Sequence, residues 1–145
     1  LDISKLEGLP SYIGLQNRYN LLDREPFESD QQDIVLRNQM SVMPFYGLAR
    51  GFLSGKYRKG ITVESVRSAA VAEYQNDHGY TVLDSVIQLA KNRNSTPAAI
   101  ALAWLRSNPA VSTPIASART VEQLHEIVEV IELSSDEIAT LRAAL

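Results

Sequence analysis

Apolar positions fall in short blocks whose spacing changes along the chain. YIGLQ (12–16) follows Gly8-Leu9-Pro10 and reads as a short buried strand. Residues 29–39 open on Ser-Asp and continue with helix formers, which predicts a helix. MSVMPF (40–45) is a second apolar strand, with Pro44 marking its end. Residues 47–66 are glycine-rich and basic and read as a loop, and residues 68–74 as a helical turn. In residues 81–93, Val82, Val86, Leu89 and Ala90 share one helical face. Thr96-Pro97 places an N-cap before a proline at the first helical position. The helix it opens, to about Ser107, is apolar nearly all round and should be deeply buried. AVSTPIA (110–116) predicts a third strand. Thr120-Val121-Glu122-Gln123 has the spacing of a capping box, and Leu124, Ile127, Val128 and Ile131 follow at helical spacing. A Ser-capped, acid-first helix closes the chain. Strand and helix alternate, which predicts an α/β protein with a parallel sheet, in one domain.

Composition narrows the function classes. At 145 residues and 45% hydrophobic, the chain can bury a core. It has no cysteine, which excludes disulfides, a thiol nucleophile and thiolate metal sites, and is compatible with a cytoplasmic setting. Net charge is −3, so the basic loop is a local feature and no nucleic-acid-binding face is indicated. The longest apolar run, residues 98–105, is too short to span a bilayer.

Three stretches carry candidate chemistry. In PFYGLARGFLSGKYRKG (44–60), Gly51, Gly55 and Gly60 allow tight turns, Ser54 offers a hydroxyl, and Lys56, Arg58 and Lys59 offer charge. It is not a P-loop, because three residues separate Gly51 from Gly55 and Tyr57 follows Lys56. A solvated basic surface loop fits the same composition. In SARTVEQLHE (117–126), Arg119 precedes a helix N-terminus, where free N–H groups attract anions. Gln123 and Glu126 lie within its first two turns, and an ordinary capped helix is the alternative. In LQNRYN (15–20), Gln16 sits at a strand end, where parallel α/β sheets hold ligands, and Phe45 ends the second strand with an aromatic face. Core packing is the plainer account of Phe45. His78 and His125 stand apart from any metal-ligand spacing, and no acid/base pair is visible. Asp23-Arg24-Glu25 reads as a local ion-pair cluster.

Taken together, LQNRYNLLDRE, PFYGLARGFLSGKYR and TPAAIALAWLRSNPAVSTPIASARTVEQLHEI resemble the carboxyl-terminal half of an aldo-keto reductase. The order and spacing run from residue 8 to the end. The resemblance implies a (β/α)8 TIM barrel, of which this chain supplies about strands six to eight, YIGLQ being strand six and VSTPI strand eight. It implies NADP(H)-dependent reduction of aldehydes and ketones, or the reverse oxidation. Gln16 would hold the nicotinamide carboxamide and Phe45 would stack on the ring. Tyr46, Gly47, Leu48, Ala49 and Arg50 would run beneath the pyrophosphate, partly through backbone groups. Lys56 would reach a phosphate, and Arg67 resembles the arginine of the loop that folds over the cofactor. Arg119 would bind the adenosine 2′-phosphate, with Gln123 and Glu126 near the adenine. Tyr46 stands where many members have Ser, Gly47 where many have Pro, and Ile127 where an Asn usually contacts adenine. The family's catalytic Asp, Tyr, Lys and His belong to the amino-terminal half, and none maps onto this chain.

The expectation is therefore a cytoplasmic NADP-dependent oxidoreductase of small carbonyl substrates, with residues 1–145 forming the carboxyl-terminal part of one barrel domain. Its partner would be the missing amino-terminal half, and neither nucleic acid nor membrane is expected to bind. Alone it should be inactive, with apolar surface open beside strand six or covered by another segment. The alternatives are a non-catalytic nucleotide-binding regulatory member of the same fold, or an inactive fragment.

Overall fold

The structure, a computed structural model, describes residues 1–61, 63 and 68–144. A short helix α1 (Asp2–Glu7) ends at Gly8, whose left-handed φ of 65° closes it. Strand β1 (Gly14–Leu15) follows, then one π turn (Phe27–Gln31) running into α2 (Gln32–Arg37). Strand β2 (Ser41–Val42) leads into a 3-10 segment (Ala49–Ser54). Helix α3 (Ser68–Val71) and a 3-10 turn (Ala72–Tyr74) precede α4 (Asp77–Asn92) and α5 (Pro97–Arg106). Helices α6 (Val121–Val128) and α7 (Ser135–Ala143) complete the described elements.

β1 and β2 pair in parallel, Gly14 opposite Ser41 and Leu15 opposite Val42, and an isolated bridge joins Arg18 to Phe45. The amides of Ser41, Met43 and Phe45 donate to the carbonyls of Ile13, Leu15 and Asn17. β1 is not buried as its sequence suggests. Tyr12 and Ile13 are exposed, Gly14 and Leu15 are half-buried and Gln16 is exposed. The expected third strand at 110–116 forms no ladder, although it lies beside β2. Ser112 and Ile115 donate to the carbonyls of Val42 and Pro44 at 2.9 Å each. Nothing returns through the backbone, because Val42 gives its N–H to the Ser112 hydroxyl and Pro44 has none to give. Three extended segments thus lie in the order β1, β2, 110–116, in chain order.

The helices pack on these segments through aromatic contacts. α5 is buried at every position from Ala98 to Leu105, as its all-round apolarity requires. Trp104 and Phe27 both meet Tyr19, with ring centroids 5.3 and 4.7 Å away. Phe52 touches Tyr57, Tyr74 and Tyr80 at 6.0, 6.0 and 5.7 Å, so the glycine-rich loop is fastened to α4 and the turn before it. Most caps are where the residues place them. Thr96 accepts from Ala99 N, and Ser134 with Glu137 forms a reciprocal box. α4 starts earlier than its apolar face indicates, because Asn76 caps it by accepting from Gly79 N. The box at Thr120 is shifted: Thr120 accepts from Gln123 N, but the Gln123 side chain reaches past the cap to Arg119 N at 3.0 Å. The cluster expected at 23–25 is also redistributed. Asp23 pairs with Arg18 at 2.8 Å and Arg24 with Glu28 at 3.0 Å, leaving Glu25 out.

Candidate active-site groove

Two adjoining cavities of about 450 and 300 Å³ lie where β2 ends, and they form one groove. The first is lined by Phe45, Tyr46, Gly47, Leu48, Arg50 and Gly51, with Ala70 of α3 on one side and residues 115–117 on the other. The second shares Leu48, Arg50, Gly51 and Ser117 and continues past Ser54 and Lys56 to Arg119, Gln123, Glu126 and Ile127. Of the residues singled out from sequence, these cavities gather Phe45, Tyr46, Gly47, Leu48, Arg50, Lys56, Arg119, Gln123 and Glu126. Gln16 is exposed and lines neither, and Ala49 is fully buried beneath the floor. Arg67 lies outside the described residues.

The floor is strained. Tyr46, Ala49 and Arg50 hold φ of 56°, 46° and 56°, and Gly51 follows at 99°. Left-handed backbone costs a non-glycine residue roughly 1–2 kcal/mol, so something must hold it. Asn20, fully buried, does part of this: its Nδ2 donates to the Tyr46 carbonyl at 2.9 Å and to Asp23 Oδ2 at 2.7 Å. Its Oδ1 accepts from Leu22 N and Asp23 N at 2.8 and 3.1 Å. Sequence reasoning passed over Asn20; its place before Leu-Leu-Asp is a turn signal, but its bond to residue 46 is not local.

The charges in the groove divide by role. Arg50 lies over the Tyr46 ring, 4.6 Å from its centroid, and its Nε is 3.1 Å from Glu73. That contact is an ion pair without an aligned hydrogen bond, so the buried Nε–H is left without an acceptor. Lys56 is exposed, 5.0 Å from the Tyr57 ring centroid. The other basic residues of the loop are used elsewhere: Arg58 donates to the carbonyls of Gly55 and Tyr57, and Lys59 pairs with Asp77. The Ser54 hydroxyl donates to the Gly51 carbonyl. At the far end, Arg119 is exposed ahead of α6 and makes no ion pair among the described residues. The N-terminus of α6 already stabilises an anion. Its own backbone N–H, then the Thr120 hydroxyl, hold the Glu122 carboxyl below its usual range.

Two buried tyrosines outside the groove lining have raised pKa values. Burial pushes Tyr74 well above the ordinary tyrosine range, and its hydrogen bond to Asp23 raises it further. Burial raises Tyr19 likewise, with its bond to Glu28 adding to the effect. Among the described residues no cluster of His, Cys, Asp and Glu could hold a metal ion.

The two strands pair in parallel, and the groove lies at their carboxyl end, the face on which parallel α/β proteins usually hold ligands. The sequence model of the Aldo/keto reductase family matches residues 2–145, and the chain belongs to that family. It is 34% identical over 124 residues to a Schizosaccharomyces pombe protein named as a voltage-gated potassium channel subunit beta, covering 81% of this chain and 36% of the relative. It is 27% identical to protein tas of Escherichia coli, covering 99% of this chain and 42% of the relative. It is 29% identical to an L-glyceraldehyde 3-phosphate reductase of Escherichia coli O157:H7, covering 87% and 39%. Among solved structures, a glycerol dehydrogenase from Gluconobacter oxydans superposes with a TM-score of 0.78 at 20% identity, covering 98% of this chain and 45% of that one. This likeness supports the (β/α)8 fold. The chain thus spans less than half the length of these relatives.

Proposed function

We propose that the protein is an NADP(H)-dependent oxidoreductase that reduces aldehydes and ketones to alcohols in the cytoplasm. In this reading residues 1–145 are the carboxyl-terminal part of one barrel domain and carry much of its cofactor-binding half. The amino-terminal half would supply the catalytic groups, so the activity belongs to the complete polypeptide and not to residues 1–145 alone. Among the described residues, no helix is long and apolar enough to cross a membrane.

The observation that carries the reading is one groove running from an aromatic strand end to an arginine that makes no ion pair among the described residues. Phe45 offers an aromatic face at one end, and Lys56 and Arg119 offer charge toward the other. The groove fits a dinucleotide. A Cβ added to Gly51 would meet nothing within 4 Å, so the backbone there is open to close approach, and the amides of Gly47 and Leu48 at the cavity wall bind no backbone acceptor among the described residues. Phe45 would hold the nicotinamide, the 46–50 backbone and Lys56 the phosphates, and Arg119, Gln123 and Glu126 the adenosine end. Gln16, exposed at the end of β1, would bind the carboxamide, and Arg67 would belong to the covering loop. When bound, the cofactor supplies hydride, while the protein orients it and sets its electrostatics.

The test is Arg119→Ala in the complete protein. A charge-assisted contact to a 2′-phosphate is worth roughly 1.5–3 kcal/mol, about ten- to a hundredfold in affinity. NADPH binding should weaken by that factor and NADH binding little. Equal loss for both, or a wild type preferring NADH, overturns the assignment. The yeast relative's name favours one second reading, a nucleotide-binding subunit that regulates a partner. Tight NADPH binding without turnover over a broad carbonyl panel would select it.

A further inference from the structure

Glu73 stands between two arginines that belong to different parts of the fold. Its Oε1 is 3.1 Å from Arg50 Nε in the groove floor, and its Oε2 is 3.1 Å from Arg18 Nη2 at the end of β1. Arg18 is fixed in turn: Nη2 donates to the Tyr74 hydroxyl at 2.6 Å and pairs with Asp23 Oδ1 at 2.8 Å. The Tyr74 hydroxyl donates to Asp23 Oδ2 at 2.6 Å. Glu73 and Tyr74 end the segment that starts with α3, and Ala70 of that helix walls the first cavity. The carboxylate therefore ties this wall to the floor through Arg50.

Two contacts define the pose of Arg50. The Tyr46 ring supports one face of the guanidinium, and Glu73 takes its Nε edge. Its terminal nitrogens have no hydrogen-bond partner among the described residues, and the residue lines both cavities where they meet. A guanidinium gripped by face and edge presents its two terminal nitrogens, with four N–H donors, in a fixed direction, which is what recognition of a phosphoryl group requires. An unheld arginine would spend side-chain entropy on each binding event.

We propose that Glu73 is a positioning residue for Arg50, aiming the guanidinium at an anionic, phosphate-bearing part of the ligand at the junction of the two cavities. This rests on the dinucleotide reading above. Glu73 itself touches no ligand. Its charge also partly neutralises the site, so the geometry makes a directional prediction: orientation outweighs that loss of attraction.

The experiment is a double-mutant cycle on the complete protein, read as the NADPH dissociation constant by fluorescence titration, with a thermal melt of each ligand-free variant. Glu73→Gln should weaken binding about five- to tenfold. Glu73→Asp, which keeps the charge, should recover most of that loss. In an Arg50→Ala background, Glu73→Gln should change nothing further. A purely structural carboxylate would give the same loss in both backgrounds, and a competing counter-ion would give tighter binding in Glu73→Gln; either result overturns the proposal, as does no change. Should the Gln variant melt below the assay temperature, Glu73→Ser replaces it in the same cycle with the same expected outcomes. A wild type that binds neither NADPH nor NADH sinks the dinucleotide reading and this inference together. A wild type that binds NADPH but ignores Glu73 leaves the reading standing and removes only the inference.

Discussion

Asn20→Ala should loosen both the fold and the groove. The side chain has no exposed surface and makes four hydrogen bonds, to the Tyr46 carbonyl, to Asp23 Oδ2, and from the amides of Leu22 and Asp23. A neutral bond contributes about 1 kcal/mol net and a charge-assisted one about 1.5–3, so simple addition approaches 5 kcal/mol. Leu22 and Asp23 are only half-buried, so water can replace part of what they lose. The expected destabilisation is therefore about 2–4 kcal/mol. Urea denaturation of the complete protein, followed by far-ultraviolet circular dichroism, measures it. The same variant removes one of the two hydrogen bonds on the Tyr46 carbonyl, leaving only the one from the Ala49 amide to hold the left-handed start of the floor, so the NADPH dissociation constant should rise about tenfold or more. A loss below 1 kcal/mol with an unchanged m-value would show that the four bonds are replaced without cost. A large loss of stability with unaltered affinity would show that the floor is held by something other than Asn20.

The remaining predictions concern two glycines and a cap. Gly55→Ala faces a φ of 85° and a Cβ 2.7 Å from Pro97 Cγ, so it should cost about 2–4 kcal/mol by thermal melt. Gly51→Ala, at φ 99° with nothing within 4 Å, should cost about 1–2 kcal/mol while weakening nucleotide binding by filling the groove. The Glu137 carboxyl is lowered from 4.5 to about 2, first by its bonds from Arg93 at 2.6 Å, then by the Ser134 amide at 2.7 Å. A depressed folded value means its contribution is complete above pH 4.5 and is lost as the pH falls toward 2. The pair is solvent-exposed and screened, so the effect is small, and Glu137→Gln should flatten the melting temperature against pH across that window.

Local signals were legible where one residue determines one backbone group. Thr96-Pro97 and Ser134 with Glu137 state their helices in three or four letters, because a cap satisfies an amide three residues away. The third extended segment failed as a strand for a reason that needs its neighbour: Pro44 and the Ser112 hydroxyl remove the return half of the ladder. Tyr12 and Ile13 read as buried from their apolar pattern alone, but no strand is described on the outer edge of β1 and both are exposed there. Most of the groove was readable only through resemblance. Composition alone left Lys56, Arg58 and Lys59 equivalent, whereas the structure spends Arg58 on nearby carbonyls and Lys59 on Asp77, leaving Lys56 in the cavity. Contacts such as Asn20 to Tyr46 or Glu73 to Arg50 span more than twenty residues and have no signature in local sequence.

The strained floor ties these observations together. Three non-glycine residues in left-handed backbone cost roughly 3–6 kcal/mol in sum, and a sequence under no constraint would place glycine at each. The strain is offset by contacts that converge on this stretch. The Ala49 amide bonds the Tyr46 carbonyl at 2.7 Å, the amides of Gly51 and Leu53 both bond the Leu48 carbonyl, and Ala49 itself is fully buried. Asn20 fixes the first residue and Glu73 the side chain of the last non-glycine one. Meanwhile the amides of Gly47 and Leu48, which line the first cavity, bind no backbone acceptor among the described residues. A backbone held in a costly conformation that leaves donors open at a cavity wall is organised before its ligand arrives. The ordering entropy of binding is then largely spent during folding, so substitutions that relax the floor should reduce affinity more than their effect on exposed surface chemistry would suggest.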